Sequence, residues 1–155
     1  DGRLGNLCAQ VLAAVTDDLL VVGKHEEKLA VLDSMGIQTA LLRDAPRHRS
    51  PDIVVDCTGS GTGLTTALEM VRPRGTIVLK TTIAGTQTLS LAPVVVDEVT
   101  IVGSRCGPFD RALDALPHGL IDVRAVISER FDLSDGIQAL ERAAKPGVLK
   151  VLLRN

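Results

Sequence analysis

The chain has 155 residues, 45% of them hydrophobic, and a formal net charge of −2 at pH 7, long enough for one domain with a sizeable core. With two Phe and no Tyr or Trp, Val, Leu, Ile and Ala must fill that core. The mixed charge gives no electrostatic basis for binding nucleic acid or a membrane surface.

Cys8, Cys57 and Cys106 are widely spaced and odd in number, which fits neither a disulfide framework nor a metal-ligand cluster. The longest apolar runs are strand-sized, far short of the ~20 residues of a transmembrane helix, and no charged-then-apolar leader is read. The expected setting is reducing and cytoplasmic.

The opening "DGRLGN" gives Gly2 and Gly5 the spacing of the last two glycines in G-x-G-x-x-G. Leu4, Leu7, Cys8, Val11, Leu12 and Val15 follow at helical spacing. A buried strand is predicted over 18–23, a helix over 26–36 ending at Gly36, and a strand over 37–42. A Pro-broken loop (43–51) leads to a strand over 52–56, a helix over 63–71 and a strand over 76–80. Residues 92–98 read equally as a short helix or an extended run. A strong strand follows over 99–104, then helices over 109–118 and 134–145 and a final strand over 147–153.

Alternating helices and apolar strands predict an α/β fold, a doubly wound parallel sheet of Rossmann type. In its strand order, 3-2-1-4-5-6, the first strand leads into the glycine turn. Strands 2 to 6 are assigned here and strand 1 is not. The expectation is a longer polypeptide, cut or unobserved upstream of Asp1, because a sheet without its central strand would bury unpaired backbone groups at about 1–3 kcal/mol each.

In this fold the glycine turn lets a pyrophosphate approach the N–H groups of the following helix. The next strand's end, about 20 residues on, reads the adenosine ribose, usually through Asp or Glu in NAD enzymes. Gly23 stands there, followed by Lys24 and His25. The missing carboxylate and the adjacent cation Lys24, joined by His25 if protonated, favour NADP, with NAD retained if Glu26 or Glu27 reaches the ribose. A plain Gly-containing turn ahead of a capped helix fits the same residues.

Three stretches, "DIVVDCTGSGTGLTTALEMVRPRGTIVLKTT" (52–82), "TLSLAPVVVDEVTIVGSRCGPF" (88–109) and "FDLSDGIQALERAAKPGVLKVLL" (131–153), together resemble the cofactor domain of the medium-chain dehydrogenase/reductase superfamily, which includes the zinc-containing alcohol dehydrogenases. The resemblance implies a Rossmann domain over 1–130 and a C-terminal tail, 131–155, that packs on an upstream catalytic domain. It places Gly2, Arg3, Leu4 and Gly5 at the pyrophosphate and Gly23, Lys24 and His25 at the adenosine ribose. Thr58 and Gly59 would line the cofactor cleft, and Thr81, Thr82, Ser104, Arg105 and Cys106 would meet the nicotinamide carboxamide. Lys150 would reach the pyrophosphate.

The implied activity is hydride transfer between NADP, or NAD, and a small alcohol or carbonyl substrate, with no metal ligand in this chain. Any zinc and the proton relay belong upstream, so no catalytic residue is nominated. The stretch "TLSL" (88–91) would be an edge strand pairing across a homo-oligomer interface. Alternatives are a non-catalytic nucleotide-binding module, a zinc-free quinone or enoyl reductase of the same superfamily, and a methyltransferase, which Gly23 argues against.

Overall fold

Runs rich in Val, Ile and Thr alternate with segments of helical periodicity, and each takes the expected form in the computed structural model, whose described residues are 1–46, 48–84, 86 and 88–155. Arg47, inside the predicted loop, lies outside them.

The elements in order are α1 (Arg3–Ala13), β1 (Leu20–Gly23), α2 (Glu26–Asp33), β2 (Gln38–Leu41), β3 (Ile53–Asp56), α3 (Gly63–Met70) and β4 (Thr76–Leu79). After them come α4 (Ala92–Val96), β5 (Thr100–Gly103), α5 (Phe109–Ala115), β6 (Ile127–Asp132), α6 (Gly136–Ala143) and β7 (Lys150–Arg154). Strands pair as β1–β2, β3–β4–β5 and β6–β7, and every pair is parallel. Parallel neighbours need a crossover, and α2, α3, α4 and α6 supply one each. The chain is therefore mixed α/β with parallel strands.

Two compact units form, one from Asp1–Ala45 with Pro108–Asn155 and the other from Pro46–Gly107. In the first, Ala9 of α1, Leu32 of α2 and Ile37 are buried together, with Leu19, Val21 and Met35 against them. Gly36, at φ 78°, closes α2, and the Ile37 N–H donates to the Leu32 carbonyl at 3.1 Å. Gln10 of α1 accepts the Asp122 N–H at 2.6 Å and donates to the Asp122 carbonyl at 3.3 Å. Distant parts of the chain are joined by that side-chain amide.

The second unit packs Ala67, Leu68 and Val71 with Ile77 of β4 and Val99. Arg49 donates to the Val71 carbonyl at 2.9 Å and pairs with Asp97 at 2.8 Å, fixing the loop that enters β3. Among the described residues, no helix is long and apolar enough to cross a membrane.

Two elements depart from expectation. β6 is absent from the sequence prediction, because only Ile127 and Phe131 of "ISERFD" are apolar and the polar run Ser128, Glu129 and Arg130 between them gives neither an apolar run nor strict alternation. It pairs with β7 through a bulge between Ile127 and Glu129, where the Ser128 hydroxyl accepts the Leu149 N–H at 2.9 Å. "TLSL" pairs with no strand described in its own chain: Leu89 packs against the core of the second unit, and Leu91 is the N-cap of α4. The ambiguous 92–98 stretch resolves as α4, with Pro93 in its first turn.

Candidate cofactor-binding site

In the first unit, Gly2 is the N-cap of α1, extended at φ −85° and ψ 177°, and the Asn6 N–H donates to its carbonyl at 2.9 Å. No side chain caps the helix, and its first turn carries no acidic residue. A Cβ built on Gly2 would meet nothing within 4 Å, and its φ is open to any residue. Neither strain nor crowding inside the chain therefore demands glycine. The open space lies at a helix N-terminus, whose backbone N–H groups and partial positive charge suit an anion. A phosphate group fits the residues present. Arg3 and Leu4 stand exposed beside it, and Gly5 is half-buried.

The end of β1 is different. A Cβ on Gly23 would lie 2.7 Å from the Asp1 Cβ and 2.9 Å from Leu29 Cδ2. Asp1 Oδ2 accepts the Lys24 N–H at 2.7 Å and the His25 N–H at 2.8 Å, and His25 Nδ1 stands 2.7 Å from the same oxygen. The room that glycine leaves at this strand end is taken by a carboxylate reaching over from the glycine turn. This corrects the expectation of a strand end free of acid. Lys24 and His25 are exposed. Lys150 begins β7, exposed and in register with Ile127.

In the second unit, the ends of β3, β4 and β5 carry a connected polar cluster. Asp56, the last residue of β3, is 3% exposed. Its Oδ1 accepts the Thr58 N–H at 2.8 Å and the Thr81 hydroxyl at 2.8 Å. Thr81 Oγ1 in turn accepts the Gly59 N–H at 3.1 Å. Asp56 thereby ties the loop after β3 to the end of β4. Its other oxygen, Oδ2, is buried without a hydrogen-bond partner among the described residues.

Lys80 continues the cluster. Its ammonium donates to the Ser104 hydroxyl at 3.2 Å, the Ser104 carbonyl at 3.5 Å and the Arg105 carbonyl at 3.3 Å. Thr58, Gly59, Thr81, Ser104 and Arg105 are thus brought together, while Thr82 and Cys106 lie exposed beside them. Sequence reasoning missed the residues that join them. Asp56 and Lys80 are charged residues at the ends of otherwise apolar strands, and Asp1 sits inside the glycine motif itself. Those positions were the available signals.

Asp122, whose carboxyl is held below the usual aspartate value by hydrogen bonds from Arg124, lies outside both clusters. Among the described residues, no group of three or more His, Cys, Asp or Glu could hold a metal ion.

The profile of the family described as zinc-binding dehydrogenase matches residues 4–118. The chain belongs to the zinc-binding dehydrogenase family. It corresponds to the cofactor domain of the medium-chain superfamily. The sorbitol dehydrogenase of Mus musculus is 27% identical over 106 residues, which cover 67% of this chain and 30% of the mouse protein.

Two solved structures share the fold. A short chain alcohol dehydrogenase from E. coli CFT073, complexed with NADH, superimposes with a TM-score of 0.85 at 21% identity, covering 99% of this chain and 50% of that one. A zinc-binding dehydrogenase from Sinorhizobium meliloti 1021, bound to NADP, gives a TM-score of 0.85 at 20% identity with the same coverage of 99% and 50%. The chain spans about half the length of these two proteins.

Proposed function

We propose that this chain binds a nicotinamide dinucleotide and orients it for hydride transfer with a small alcohol or carbonyl substrate, as the cofactor domain of an alcohol dehydrogenase-like oxidoreductase. The observation that carries this is the open space at Gly2, at the uncapped N-terminus of α1, within the family match. A bound nicotinamide supplies the hydride-carrying carbon, and the protein supplies position and electrostatics.

In this proposal Gly2, Arg3, Leu4 and Gly5 receive the pyrophosphate on backbone N–H groups, with Lys150 adding charge, and Gly23, Lys24 and His25 face the adenosine ribose. Thr58, Gly59, Thr81, Thr82, Ser104, Arg105 and Cys106 serve the nicotinamide end. Asp56 and Lys80 act there as positioning residues, holding the loops through the bonds described above. No group of three or more His, Cys, Asp or Glu among the described residues could hold a zinc ion.

Residues 1–130 are assigned in the same proposal to the cofactor domain and 131–155 to a tail that packs on a catalytic domain. Leu133, Ile137 and Leu140, 59%, 77% and 72% exposed, give that tail an uncovered apolar stripe in support. A homo-oligomer paired through the backbone of "TLSL" (88–91) belongs to the same proposal.

Lys24 beside Gly23 supports NADP. The Asp1 carboxylate on the same backbone amides supports NAD as the second possibility. Parallel titrations of NADPH and NADH, followed by nicotinamide fluorescence, test both. NADPH binding more tightly, with the advantage lost in Lys24→Ala, is the expected result. Binding of neither cofactor would overturn the proposal.

A further inference from the structure

Three donors converge on one oxygen at the end of β1. The Lys24 and His25 N–H groups reach Asp1 Oδ2 at 2.7 and 2.8 Å, and His25 Nδ1 lies at 2.7 Å. An ionised carboxylate only accepts hydrogen bonds, so Nδ1 carries the proton in this pair. Two successive backbone N–H groups and an imidazole N–H form an anion receptor, here filled by the protein's own anion. The fit is steric as well as polar, since a Cβ on Gly23 would lie 2.7 Å from the Asp1 Cβ. Asp1 is also only 19% exposed in its side chain, against 50% for His25, so the carboxylate is the buried member of the pair.

We propose that Asp1 sets cofactor choice, its carboxylate acting as an internal competitor of the 2′-phosphate for the Lys24 and His25 donors. This rests on the nicotinamide-binding proposal above. A 2′-phosphate carries more negative charge than the carboxylate and needs the same kind of donors. With Asp1 in place it must displace an anion or sit beside one, and like charges at a few ångströms repel. An unphosphorylated ribose brings no such charge, and its hydroxyls can donate to a carboxylate. Asp1 therefore weakens NADP binding selectively. Whichever cofactor the unaltered protein prefers, removing this one charge moves the preference toward NADP.

The test compares NADPH and NADH binding to the full chain, Asp1→Asn and Asp1→Ala, with circular dichroism to show that each variant is folded. Asn keeps the shape and an accepting oxygen but removes the charge, while Ala also opens the space against Gly23. The expected result is a gain of about tenfold or more in NADPH affinity relative to NADH in both variants. Adenosine 2′,5′-bisphosphate should gain over 5′-AMP in the same direction, which places the effect at the 2′-phosphate. An unchanged ratio in both folded variants, with both cofactors still binding, would overturn the role of Asp1 and leave nicotinamide binding intact. Failure of the unaltered protein to bind either cofactor would overturn both proposals.

Discussion

Gly63 opens α3 in a space that leaves no room for a side chain. A Cβ there would collide with Thr58 Oγ1 and lie 2.7 Å from both oxygens of Asp56. Asp56 and Thr58 are the residues that pin the loop after β3, through the 2.8 Å bond from the Thr58 N–H. Gly63→Ala is therefore expected to push that loop off its anchor and destabilise the protein by about 1–3 kcal/mol. Chemical denaturation would measure the change, and a loss under about 0.5 kcal/mol would mean that the loop accommodates the methyl freely. Gly23 shows the same principle in another place. Its small size is explained by Asp1 and Leu29 inside the protein, whereas its position at a strand end pointed to a ligand outside it.

Among the elements, α6 separates its two faces clearly. Ala139 is 3% exposed, while Leu140 next to it is 72% exposed. Ala139→Leu should cost about 1–3 kcal/mol by overpacking. Leu140→Ser should change the stability of this chain by no more than about 0.5 kcal/mol. A large loss from Leu140→Ser in thermal melts would mean that the stripe is covered, against its assignment to a surface awaiting another domain.

The helices and apolar strands were legible in the sequence because their periodicity is strong and Gly36 marks the end of α2. β6 was not, since a strand with one face only half-buried, and with Glu129 on that face paired to Arg142, carries charges where an apolar run would announce a strand. The packing of Leu89 in "TLSL" was not legible either, because the core it meets is built from residues distant in sequence.

For the molecule as a whole, the family and the parallel α/β architecture followed from the order and spacing of segments, and the match over residues 4–118 agrees. The connections within each polar cluster did not follow, because they join side chains 20 or more residues apart: Asp1 with His25, Asp56 with Thr81, Lys80 with Ser104. No local pattern encodes such a contact.

The central claim, that the space at Gly2 is kept open for a dinucleotide, is tested most directly by titrating NADH and NADPH against the unaltered protein and Gly2→Ala. The methyl group has open space in the free protein, so stability should change by less than about 1 kcal/mol. Affinity for both cofactors should fall by about tenfold or more, equivalent to about 1.4 kcal/mol. Undiminished binding of both cofactors to Gly2→Ala would contradict the account.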